Sequence, residues 1–187
     1  MRFVTHIACF HHFSAKDLPR LLRNKGNNNW EKYPVKELRG STLGIIGYGD
    51  IGKAAARLAN AYGMKVQALK RRPPAAGEKD HIAEVVYGNS KDELLKLFAS
   101  CDYILCAMPL TPATQGMIGK AEFDAAKDGA VFINVGRGPI VDEPEMIAAL
   151  QDGRLKGAGL DVFAVEPLQK DSSLWSLDNV LLSPHSK

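Results

Sequence analysis

The chain has 187 residues, 45% of them hydrophobic and 24% charged, a balance that excludes wholesale disorder and suits one well-buried domain but not two of full size. Its 24 basic and 21 acidic side chains leave a net charge of +3, too mild to call for nucleic acid or an acidic membrane as partner. Three cysteines, Cys9, Cys101 and Cys106, are odd in number and form no CxxC pair, which argues against structural zinc and for reduced thiols in the cytoplasm. No apolar run approaches the roughly 20 residues that a bilayer requires. The opening MRFVTHIACF is interrupted by His6 and lacks a small-residue cleavage site, so it does not read as a signal peptide.

In chain order, Leu18, Leu21 and Leu22 give a helical stripe within SAKDLPRLLRNK, and GNNNWEKYPVKELRG reads as an extended polar connection. Residues 1–40 are thus expected to be a leading helix and linker, and residues 41–187 the main domain. From Thr42 onward short apolar runs alternate with amphipathic stretches: TLGII, DIGKAAARLANAYG, MKVQAL, a Pro-rich loop, KDELLKLFAS, DYILCAM, KAEFDAA, AVFINV, DEPEMIAALQDG, GAGLDVF and NVLLSP. Parallel strands need helical crossovers, and strands buried on both faces read as continuous apolar runs, so this alternation predicts a doubly wound α/β fold with a parallel sheet.

Gly47, Gly49 and Gly52 form GYGDIG between a predicted strand and an alanine-rich helix, the setting that a dinucleotide fingerprint needs. Gly47 permits the tight turn, Gly49 lets backbone approach a pyrophosphate, and Gly52 brings the helix close to the strand. Tyr48, Asp50 and Ile51 lie within the same turn. The carboxylate that reads the adenosine ribose in NAD-specific domains belongs at the end of the second strand. Lys70, Arg71 and Arg72 stand there instead, and guanidinium groups grip a 2′-phosphate that an acid would repel. NADP is the expected cofactor, with NAD possible and a merely solvated basic loop the alternative.

Arg137, Asp161, Glu166 and His185 each follow a predicted strand, and in a parallel sheet the strand C-terminal ends share one edge with the cofactor. Reducing a 2-oxo acid needs a cation for the carboxylate, a proton donor for the developing alkoxide and a hydride at the carbonyl carbon. Arg137, His185 and the cofactor could supply them. Tyr87 and Lys91 spell YxxxK, but no serine sits at the upstream distance a short-chain dehydrogenase needs, so the pair is discounted. His6, Cys9, His11 and His12 fit no ligand spacing, and no metal is assigned.

GYGDIG, MPLTPATQGMIG, NVGRGPIVDE, GLDVFAVEPL and SPHS, in this order, make roughly residues 15–187 resemble the NAD(P)-binding (Rossmann) domain of the D-isomer-specific 2-hydroxyacid dehydrogenases. The resemblance implies that Arg137 binds the substrate carboxylate and carbonyl, that His185 is the acid and base, and that Glu166 orients His185 and favours its imidazolium form. It places Asp161 beside the nicotinamide, Met108, Pro109 and Thr111 along its ribose, and Val135 and Gly136 close to the ring. It implies a homodimer with contacts at the helix over 15–25 and the Trp30 loop, and a small 2-oxo or 2-hydroxy acid such as glyoxylate or hydroxypyruvate as substrate. Family members carry a substrate domain built from about a hundred N-terminal residues and a C-terminal return, which is expected to be largely absent here. Two readings therefore stay open: a reductase, and a cofactor-binding module without catalysis.

Overall fold

The computed structural model describes residues 2–73, 75 and 80–185, with side chains from residue 7 onward. Among these residues seven strands form one parallel sheet in the order β3-β2-β1-β4-β5-β6-β7. The strands are β1 (Thr42–Ile46), β2 (Lys65–Leu69), β3 (Val85–Tyr87), β4 (Tyr103–Cys106), β5 (Ala130–Asn134), β6 (Leu155–Leu160) and β7 (Val180–Leu182). Two helices, α1 (Arg2–Ala15) and α2 (Leu18–Gly26), precede them, and α3 (Asp50–Ala61), α4 (Lys91–Ser100), α5 (Lys120–Ala125) and α6 (Glu143–Gln151) make the crossovers. The fold is the doubly wound Rossmann type, and its order reverses between β1 and β4, where the sheet opens a cleft at its C-terminal edge.

The central strands are apolar on both faces because each face is covered. Leu43, Ile45, Leu105 and Ile133 pack with Ala55, Ala56 and Ala59 of α3, while Ile46, Ile104 and Phe132 pack with Leu94, Leu97 and Phe98 of α4 and Phe123 of α5. Small alanines let α3 lie close to the sheet, and the opposite layer is filled by the edge-on rings of Phe98, Phe123 and Phe132. Helix α4 starts at Ser90, whose side chain caps the Glu93 N–H, and α6 starts at Asp142, which caps Glu145 in the same way.

Three elements differ from the sequence reading. Helix α1 was not foreseen, yet Ile7 and Phe10 are buried in the α3-side cluster, and a Cβ on Gly159 of β6 would lie 2.4 Å from the Phe10 ring, so that glycine makes the seat for the helix. Strand β3 was also missed: it has three residues, pairs only at the sheet edge and is not fully buried. Strand β6 begins at Leu155 and ends at Leu160, so Asp161 and Phe163 belong to the loop beyond it. Helix α2 forms with Asp17 as its cap, but Leu21 and Leu22 remain exposed and none of its residues is buried.

Candidate active site

The glycine turn is built by close approach. Gly47 has φ +101°, and a Cβ there would stand 2.7 Å from Met108 Cγ and 2.9 Å from the Ala107 backbone; on Gly52 it would stand 2.4 Å from the Gly47 carbonyl oxygen. Gly49 is different: nothing lies within 4 Å of its would-be Cβ, and α3 begins there without any side-chain cap. Free backbone N–H groups therefore face open space at the positive end of the helix dipole, which fits a pyrophosphate. Asp50 is exposed in the first turn and Ile51 is half-buried. Tyr48 turns its ring away from the turn into the core, where its hydroxyl donates to Asp80 Oδ1 at 2.9 Å. Burial, and then the Asp80 hydrogen bond, push this phenol well above its ordinary range. Asp80 also accepts the Ile82 and Ala83 N–H groups at 2.8 Å each, so Tyr48 fastens the chain that enters β3.

A cavity of about 560 Å³ extends from Gly47–Gly49 between Lys70 and Arg71 on one side and Met108, Pro109 and Thr111 on the other. Arg72 is exposed and stands outside its lining. Thr114 shapes the far wall by donating to the Pro109 carbonyl and accepting the Thr111 N–H, at 2.9 and 2.8 Å. Asn89, Lys91 and Thr114 also line this space; in the sequence Lys91 stands out only in the discounted YxxxK pair, and its place in the cleft follows only once β3 is known.

A second cavity of about 390 Å³ lies between Ile51, Met108 and Pro109 and the loop after β5, with Val135, Gly136 and Arg137 on its wall. Asn134, buried at the end of β5, sets this loop: its Oδ1 accepts the Gly136 N–H at 3.0 Å and its Nδ2 donates to the Arg137 carbonyl at 3.3 Å. A Cβ on Gly136 would meet Met108 O at 2.7 Å, and one on Gly138 would meet Phe163 O at 1.7 Å, so both glycines allow neighbouring loops to touch. The Arg137 side chain is exposed at the rim and its Nη1 donates to Gly136 O at 2.7 Å.

The loops after β6 and β7 bring the remaining residues to the same edge. Asp161 is buried, with its N–H on Asn134 O at 3.0 Å. Glu166 Oε1 accepts the Phe163 N–H at 3.0 Å, and Oε2 meets His185 Nδ1 at 2.6 Å, with the two side chains about a third exposed (35% and 37%). Burial alone would raise the Glu166 carboxyl, but the His185 hydrogen bond, the Phe163 N–H and the charges of His185 and Arg137 outweigh it and hold it below the ordinary carboxylate range. An ionised Glu166 accepts a hydrogen bond from Nδ1–H and leaves His185 Nε2 facing a ligand. Arg137 thus shares an electrostatic neighbourhood with the pair. An apolar hollow of about 730 Å³, walled by Phe163, Leu168, Trp175 and Leu182, flanks the pair. The second serine of SPHS, Ser186, lies outside the described residues, as does the His6 side chain. Among the described residues no cluster of His, Cys, Asp or Glu is arranged to hold a metal ion, and no helix is long and apolar enough to cross a membrane.

Residues 11–186 match the family model described as "D-isomer specific 2-hydroxyacid dehydrogenase, NAD binding domain". A glyoxylate/hydroxypyruvate reductase B of Enterobacter sp. (strain 638) is 44% identical over 149 residues, which make up 80% of this chain and 44% of that protein. The chain therefore spans less than half the length of this curated relative. Among solved structures, a probable 2-hydroxyacid dehydrogenase of Rhizobium etli CFN 42 in complex with NADP, HEPES and L(+)-tartaric acid superposes with a TM-score of 0.90 at 29% identity, covering 99% of this chain and 58% of that one. An NADPH-dependent glyoxylate/hydroxypyruvate reductase of Sinorhizobium meliloti in complex with NADP and sulfate superposes at 0.86, also at 29% identity, covering 98% and 58%.

Proposed function

Because the chain belongs to the D-isomer specific 2-hydroxyacid dehydrogenase family, of which it carries the NAD-binding domain, we propose that it is the coenzyme half of an oxidoreductase that moves a hydride between NADP(H) and a small 2-oxo or 2-hydroxy acid of the glyoxylate or hydroxypyruvate type. The observation that carries this reading is the His185–Glu166 pair, 2.6 Å apart, with the charge of Arg137 acting on it at the same sheet edge as the glycine turn. Relatives named for glyoxylate and hydroxypyruvate reduction support the substrate class, and the neighbours bound to NADP support the coenzyme.

A nicotinamide bound in this cleft would supply the hydride. The residues of this chain would hold the coenzyme, grip the substrate carboxylate and move the proton. Arg137 offers a fork of N–H donors to the substrate carboxylate, which fixes the carbonyl beside Val135 and Gly136. His185 holds a proton at Nε2 for the oxygen that gains charge, and Glu166, accepting from Nδ1, orients the ring. Asp161, buried with its N–H on Asn134 O, is assigned to the ring edge of the coenzyme. The N-terminus of α3 at Gly49 binds the pyrophosphate, and Lys70 and Arg71 select the 2′-phosphate, with Arg72 adding charge nearby.

A coenzyme-binding unit without turnover is the second reading, favoured by the exposure of His185 and Glu166, since hydride transfer gains from a closed, dry site. The exposed apolar face of α2, with Leu21 44% and Leu22 67% accessible and Trp30 beyond it, supports a homodimer through this helix. The chemistry suits the reducing cytoplasm. Mixing the protein with NADPH and a panel of 2-oxo acids tests the main reading: loss of the reduced nicotinamide absorbance with glyoxylate or hydroxypyruvate is expected, whereas tight NADPH binding with no loss for any acid leaves only the second.

A further inference from the structure

One cation at the coenzyme cleft has no place in the scheme above. Lys91 opens α4 and lines the same cavity as Lys70 and Arg71, and among the described residues no Asp or Glu lines it. Its position follows from the sheet. Strands β2 and β3 run in register with Leu69 opposite Tyr87, and the Lys70 N–H donates to the Tyr87 carbonyl at 3.1 Å, so the two loops that follow leave the sheet side by side. One carries Arg71, and the other leads directly into Lys91 at the start of α4.

The Lys91 side chain is 58% exposed, yet its ammonium is paired with Glu122 of α5, which is only 1% exposed. Glu122 Oε2 already accepts the Gly119 N–H at 3.0 Å, and its other oxygen faces Lys91. A lysine anchored in this way gives up little rotamer freedom when it meets an anion. Of the two acids in the first turn of α4, Glu93 spends both oxygens locally, accepting the Gly88 N–H at 3.1 Å and the Ser90 hydroxyl at 2.8 Å, and Asp92 is exposed; neither lines the cavity.

We propose that Lys91 is a specificity-determining residue that brackets the 2′-phosphate of the adenosine ribose from the side opposite Arg71, so that two adjacent strand ends choose the coenzyme. The proposal rests on the NADP(H) reading given above. A phosphate monoester has three acceptor oxygens and more than one negative charge, enough for both loops. Calorimetric titration of the full chain with NADPH and with NADH tests it, using Lys91→Met and, since that change strands a buried carboxylate, the Lys91→Met/Glu122→Gln double variant. Loss of one charge-assisted hydrogen bond is expected to weaken NADPH by about tenfold and leave NADH within about twofold. Equal weakening of both coenzymes, or unchanged NADPH binding in the double variant, overturns the role of Lys91. Arg71→Ala run alongside separates the two claims: if it too spares NADPH, the 2′-phosphate reading itself falls.

Discussion

The two halves of the sheet prepare their ligand contacts by different means. Around β1, β2 and β3 the surface offered to a ligand is mostly backbone: the Gly47 turn, the uncapped start of α3, and open space at Gly49, with Lys70 and Arg71 adding charge at the rim. Around β5, β6 and β7 it is mostly side chain: Arg137, Glu166 and His185 come from three loops, Glu166 and His185 meet at 2.6 Å, and Gly138 lets the Arg137 loop press against Phe163. Backbone recognition tolerates sequence drift everywhere except at the glycines. Side-chain recognition depends on each loop keeping its register.

If the halves are as separable as this, they can be broken one at a time. The largest effect is expected for His185→Ala, which removes the proton donor: reduction of the 2-oxo acid should fall between about 10² and 10⁴-fold with NADPH affinity unchanged, as read by steady-state rates and calorimetry. Gly52→Val should do the reverse, because its Cβ would lie 2.4 Å from Gly47 O and spread the turn; NADPH affinity should fall by about a hundredfold, at a stability cost of about 1–3 kcal/mol visible in denaturant melts.

A third test concerns neither half but the helix laid across them. His11 of α1 is 2% exposed, stands edge-on to Tyr103 at 4.9 Å, and has no hydrogen-bond partner on either ring nitrogen. Burial first, and then the neighbouring His12, lower it to about 4 from 6.5. The unfolded chain therefore binds a proton there that the folded chain refuses, so this stability is fully present above about pH 6.5 and drains away as pH falls toward 4, by roughly 3 kcal/mol in all. Urea melts across that range should show the slope, and His11→Phe should flatten it. The smallest effect is expected for Asn134→Ala. It unfastens Gly136 and Arg137, and about a tenfold drop in turnover with unaltered NADPH binding should follow; a matching loss of coenzyme affinity would mean that the loop serves both halves.

Much of the fold was legible, for physical reasons that also mark where legibility stops. Buried parallel strands must be continuous apolar runs, so TLGII, YILC and AVFIN announced themselves, and the spacing of Gly47 and Gly52 reflects contacts of less than 3 Å that no other residue would allow. Strand β3 carries little such signal because it is a three-residue edge. Helix α1 hid because its inward face mixes Ile7 and Phe10 with His11 and Ser14, polar residues that rarely mark a core. Tyr48 sits between two coenzyme glycines, yet its ring serves Asp80, 32 residues on, a partnership that no local pattern encodes. Arg137, Glu166 and His185 carry no periodicity at all; their places after predicted strands made them candidates, and the family resemblance gave them roles.

The central claim is that Arg137 and His185 face one anion site beside the coenzyme. Oxamate, which has the carboxylate and carbonyl of a 2-oxo acid but accepts no hydride, tests it without requiring turnover. Calorimetric titration should detect oxamate binding to the NADPH-loaded protein, and Arg137→Gln and His185→Ala should each abolish it. Oxamate binding that survives both substitutions would contradict the account.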